Sequence, residues 1–122
     1  MAIDERDLAD FAERVADLGP IRYKRMFGGA GFWFDGKMFA CYAEGSFMLR
    51  ADDENAPKFA TYGIGPWVPG IIPSRVGKNI TMPYYAIPDD VMGDDGLLLQ
   101  WCREAIDAAD RAERAKLAKK RK

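Results

Sequence analysis

Two residue pairs, Asp35-Gly36 and Glu44-Gly45, interrupt a continuous apolar and aromatic stretch and leave that stretch few ways to fold. A type I′ turn needs positive φ at both central residues, so Asp-Gly between alternating segments is a hairpin signal. The flanking segments read as strands: Arg22 to Met26, Ala30 to Phe34, Lys37 to Ala43 and Ser46 to Ala51. Strands joined this tightly run antiparallel, as a meander. Alternation then assigns faces. Met38, Ala40 and Tyr42 are expected on one face of the third strand, with Phe39, Cys41 and Ala43 on the other. On the first strand Arg22, Lys24 and Met26 share one face, and Tyr23, Arg25 and Phe27 share the opposite one. Both sides of the third strand are largely apolar, so the sheet is expected to be covered twice, by helices on one face and by a second subunit on the other.

Helical spacing brackets this sheet. Asp4 is an N-cap ahead of a stripe at Leu8, Phe11, Val15 and Leu18, and Gly19-Pro20 stops it. Asp52 or Asp53 caps a short helix reaching about Tyr62. The run from Gly63 to Asn79 is dense in proline and glycine and reads as loop, with a short strand near Trp67-Val68. Asn79 to Ile87 resumes strand character, where Pro83 demands an edge position or a bulge. Pro88 opens a helical turn through Met92. Leu98, Trp101, Ala105, Ala108 and Ala112 then mark a last helix whose charged end projects into solvent. Helices and strands are segregated rather than alternating, which predicts an α+β domain: an antiparallel sheet of about five strands flanked by helices, spanning residues 1–122 as one unit.

The chemistry open to the chain is narrow. It has no histidine, which removes the commonest general base and metal ligand. Its two cysteines, Cys41 and Cys102, lie far apart in apolar patterns and read as buried thiols. The cluster Gly28-Gly29-Ala30-Gly31 is followed by strand rather than helix, so it suits a bend with close backbone approach better than a phosphate cradle. Asp52 to Asn55 lacks the pattern of a calcium loop and reads as a helix cap. No catalytic, cofactor or metal constellation emerges, and a non-enzymatic role is expected. A small-molecule site or enzyme would have to draw on Tyr84, Tyr85, Arg25 and the carboxylates. No apolar run approaches the ~20 residues of a membrane span, and the acidic N-terminus does not resemble a signal peptide, so a cytoplasmic protein is expected.

Interaction is the remaining class. Trp33, Phe39 and Met48 alternate out of phase with Phe32, Phe34 and Met38, so one set can pack on the helices and the other would leave an exposed apolar patch. Trp33, Phe39 and Met48 are the candidates for that patch, as an interface for a homodimer or another protein. Arg22, Lys24 and Arg25 are candidates for phosphate contact, solvation or ion pairing, the last with Asp52 or Asp53. Residues 111–122 carry seven basic side chains against Glu113, a net +6, which leaves −7 on the rest of a chain whose total is −1. Within this exposed basic end Arg114, Lys116, Lys119, Lys120 and Arg121 are the candidates for nucleic-acid contact. The acidic body opposes that reading, and no aromatic is interleaved to stack on bases.

The runs "KRMFGGAGFWFDGKMFA", "LRADDENAPKFATYGIGP", "TMPYYAIPDDV" and "LLLQWCREAIDAA" together resemble the N-terminal domain of the TfoX/Sxy family, bacterial regulators of DNA-transformation competence. The resemblance covers most of Arg25 to Ala109. It implies a two-layer α+β domain, related in shape to small dimeric secretion-chaperone-like domains, with no known enzyme activity. It further implies a regulatory or adaptor role through protein contacts, with transcription machinery such as the cyclic-AMP receptor protein as partner. Relatives usually follow this domain with a second one, where this chain carries its basic helix. They also often have a shorter polar hairpin in place of Val68 to Asn79.

Overall fold

Both tight turns form with the backbone that their composition demands: φ is 51° and 77° at Asp35 and Gly36, and 49° and 85° at Glu44 and Gly45. The computed structural model describes residues 3–26, 28–69 and 81–120. Helix α1 (Glu5–Arg14) begins at Asp4, whose carboxylate accepts the Arg6 N–H at 2.9 Å, and continues as a 3-10 turn, Ala16–Leu18. The meander follows: β1 (Ile21–Met26), β2 (Gly29–Phe34), β3 (Lys37–Ala43) and β4 (Ser46–Arg50). After it come α2 (Ala56–Ala60), β5 (Pro66–Trp67), β6 (Met82–Ala86), α3 (Asp89–Met92) and α4 (Asp95–Lys120). Among the described residues the sheet has six strands, all pairs antiparallel, in the order β1-β2-β3-β4-β6-β5. This is the expected α+β architecture with one strand more than expected. Residues 70–79 of the run expected as loop lie outside the described residues, as does Phe27.

Pro83 sits where two residues of β6 separate the partners of adjacent Pro66 and Trp67, so the bulge it required is present, beside a strand of only two residues. The short helix starts later than expected, at Ala56. Ahead of it buried Asn55 ties the chain together: its Oδ1 accepts the Asp52 N–H at 2.8 Å, and its Nδ2 donates to the Arg50 carbonyl at 3.1 Å.

A second bulge changes the face assignments. Phe32 pairs with Ala40 but the next residue, Trp33, pairs with Met38, so Phe39 is an extra residue on β3. Phe39 and Ala40 therefore both turn towards the helices, and the strict alternation expected along β3 fails there. Phe39 is fully buried in the main core with Leu8, Phe11, Phe32, Leu49, Val91 and Leu98. All four helices supply this one core, which makes two layers. Met38 and Cys41 fall on the outer face, where Cys41, Met48 and Tyr84 form a smaller buried cluster with Met38, Trp67 and Met82 packed against it.

Phe39 should be a stability determinant because no solvent reaches it. Phe39→Ala is expected to lower unfolding stability by about 3–5 kcal/mol in urea denaturation. A loss below about 1 kcal/mol would mean that the bulge does not turn the ring inwards.

Candidate interaction surface

The outer face of β1 and β2 brings three of the candidate residues together. Arg22 pairs with Trp33 and Lys24 with Gly31, so alternation puts Arg22, Lys24 and Trp33 on one surface. Arg22 and Lys24 are exposed and Trp33 is half-buried. With Pro20 and Phe34 they line an open groove along the sheet's edge strand. The indole lies across Gly31: a Cβ there would come within 2.7 Å of the Trp33 ring and 2.6 Å of the Met38 sulfur. A Cβ on Gly29 would fall 1.9 Å from the Tyr42 carbonyl oxygen. The glycine cluster thus permits close approach within the sheet, and nothing in its geometry forms a phosphate cradle.

The other candidates lie elsewhere. Arg25 is on the helix side of β1, where Nε stands 3.5 Å from Glu5 and a second nitrogen donates to the Ile3 carbonyl. Its partner is α1 rather than Asp52 or Asp53. Tyr23, its neighbour on that side, donates to Glu5 at 2.7 Å, and this bond pushes the phenol above its ordinary pKa. Phe39 and Met48, expected on one exposed face, are on opposite faces and both buried. The apolar patch anticipated from them is thus consumed by the chain's own packing.

On α4 the basic side chains divide. Arg111 grips Asp52 with two hydrogen bonds, at 2.7 and 2.9 Å, and reaches Glu54 at 3.1 Å. The hydrogen bonds from Arg111 hold the Asp52 carboxyl below the usual carboxylate range. Arg114 pairs with Asp110 one turn back, at 2.9 Å. Lys116, Lys119 and Lys120 are exposed, and Arg121 lies outside the described residues. The acidic run Asp52 to Asn55 therefore anchors the last helix as well as shaping the turn before α2, a role with no local sequence signal.

Cys41 and Cys102 are buried thiols as expected, each pushed up to about 12 by burial. Tyr84 is raised by burial too, and its hydroxyl donates to the Met38 carbonyl at 3.3 Å. Tyr85 is on the other face, packed on Phe59. Tyr84, Tyr85 and Arg25 therefore do not converge on a common pocket. Among the described residues no His, Cys, Asp or Glu cluster could hold a metal ion, and no helix is long and apolar enough to cross a membrane.

A family model described as the TfoX N-terminal domain matches residues 13–109. Protein Sxy of Escherichia coli (strain K12) is 26% identical over 104 residues, which cover 80% of this chain and 44% of that protein. The chain thus spans less than half the length of this curated relative.

Two measurements probe the surface and its anchor. Gly31→Ala should displace the indole, giving a red-shifted Trp33 emission in a Trp67→Phe, Trp101→Phe background and about 1–3 kcal/mol lower stability; unchanged emission would place the ring elsewhere. Asp52 titrates below its unfolded value when folded, so its contribution is complete above the ordinary carboxylate value and is lost as pH falls through the lower folded value. Asp52→Asn should therefore flatten part of the acid limb of stability against pH, while an identical limb would contradict the Arg111 contact.

Proposed function

The chain belongs to the TfoX N-terminal domain family, a family of competence-related regulators, and from that footing we propose that it is a non-catalytic adaptor module of the cytoplasm, acting by protein contact in transcriptional control of competence. The observation that carries this reading is the surface of Arg22, Lys24 and Trp33. Tryptophan and arginine are the side chains that most often dominate binding energy at protein interfaces, and a half-buried indole is already ordered before a partner arrives. Two adjacent cations beside it favour a partner with an acidic rim.

A homodimer resting on Phe39 and Met48 loses its motive, since both are buried within one chain. Pairing of two β1 edges would set Arg22 and Lys24 of one copy against the same cations of the other, which opposes self-association there. The support therefore moves to a different protein as the partner, one fitted to the promoter apparatus of competence genes.

The test is a competence-gene transcription reporter in bacterial cells supplied with the chain. Wild type should alter reporter output, and R22E/K24E or Trp33→Ala should abolish the effect at equal protein level. No response to the wild type, or an equal response to all variants, would contradict the proposal.

A further inference from the structure

The stripe of α4 that faces the sheet changes character where the sheet ends. Ala105 and Ala109 are buried in the core, and the same stripe continues at helical spacing through Ala112 to Lys116 and Lys119. These two lysines are therefore aimed back towards the body rather than away from it. Between them and the sheet lies an open groove of about 580 Å³. Its second wall is built from Lys37 and Met38 at the start of β3, Arg50 at the end of β4, and Tyr84 of β6.

Four cations thus line one groove, against the single carboxylate of Glu113. Lys37 is partly neutralised by Asp35 at 3.2 Å and Asp110 at 3.7 Å. Among the described residues no carboxylate pairs with Arg50, Lys116 or Lys119. Arg50 is nevertheless only half-exposed, its guanidinium 5.7 Å from the centre of the Tyr84 ring. Like charges gathered in a cleft raise the local potential and concentrate anions there.

We propose that this groove binds the sugar-phosphate backbone of nucleic acid. The cations stand on two walls of an open channel, an arrangement that tracks a chain of phosphates, and the alanines of the helical wall leave room for a bulky ridge. Tyr84 is 3% exposed, so its ring offers no platform for a base. Recognition is then of phosphate and independent of sequence. The site goes beyond the protein-contact reading, and none of its four cations belongs to the surface of Arg22, Lys24 and Trp33. It also differs from contact through the helix tip, because two of its four cations come from the sheet.

Anisotropy of a labelled mixed-sequence duplex against the full chain, over a salt series, tests it. Four phosphate contacts give a slope of log K against log salt of about −3.6, or roughly a hundredfold weakening between about 50 and about 200 mM salt. K116Q/K119Q, exposed positions whose change leaves the fold intact, should reduce the slope by about two. Arg50→Gln should reduce it by about one, and Arg50→Lys should restore most of that loss. R22E/K24E should leave the slope unaltered, which separates this site from the proposed adaptor surface. Absence of binding at low salt would overturn the proposal. So would binding that K116Q/K119Q and Arg50→Gln leave untouched, or capture of polyglutamate in place of the duplex.

Discussion

The seating of α4 across the middle strands of the sheet determines where every other feature falls. It is the helix that packs most extensively on the strands, lying over β3 and β4, and it presents Leu98, Trp101, Ala105 and Ala109 to the core. The small residues along that stripe let the helix approach closely, while the bulge at Phe39 fills the remaining space by turning two consecutive β3 residues upwards. Polar contacts then fix the helix at intervals. Arg14 of α1 donates to the Met92 carbonyl at 2.6 Å and pairs with Asp95, Lys58 of α2 pairs with Glu104 at 2.9 Å, and Arg111 grips Asp52. Exposed pairs of this kind contribute little energy individually. Their importance is directional, since each joins α4 to a different element.

Two surfaces follow from that seating. The helices pack on one sheet face, so the larger accessible area of the sheet lies on the other. Part of that outer face is closed by the chain itself, with Trp67 donating to Glu44 and packing on the cluster of Cys41, Met48 and Tyr84. What stays accessible is the β1–β2 end, with Arg22, Lys24 and Trp33. The second surface exists because α4 is longer than the sheet it covers: its final turns carry lysines past the last strand residues and over Lys37 and Arg50. The charge asymmetry between an acidic body and a basic end is thus folded back on itself, with Arg111 neutralised against the body and Lys116 and Lys119 unpaired with any carboxylate among the described residues.

The local elements were legible in the sequence because each has a local cause. Asp35-Gly36 and Glu44-Gly45 dictate turns, Asp4 and Gly19-Pro20 bound the first helix, and Pro83 announces a bulge. Alternation puts Arg22 and Lys24 on one face of β1, but their meeting with Trp33 depends on the register of β1 against β2. Phe39 was misplaced because β3 is apolar on both faces, so a one-residue register shift leaves no mark in its hydrophobic pattern. The cover on Met48 has no local signal, since Trp67 and Tyr84 reach it from strands far along the chain. Arg25 with Glu5 and Arg111 with Asp52 depend on tertiary proximity, and the sequence offers several carboxylates for each. For the same reason Arg50 could not be linked to lysines more than 60 residues away.

Helix α4 is held to the body of the fold as far as Arg111, so the helix end beyond it is aimed rather than free. Residue-resolved amide hydrogen exchange measures this directly. In the wild-type chain the amides from Ala109 to Ala115 should be protected well above the rate of a frayed helix end. Asp52→Asn should raise exchange in that stretch while leaving Leu98 to Ala105 unaffected. Rapid exchange from Ala109 onwards in the wild type, or no response to Asp52→Asn, would mean that the helix end is not held there and would remove the basis for both the anchor and the groove.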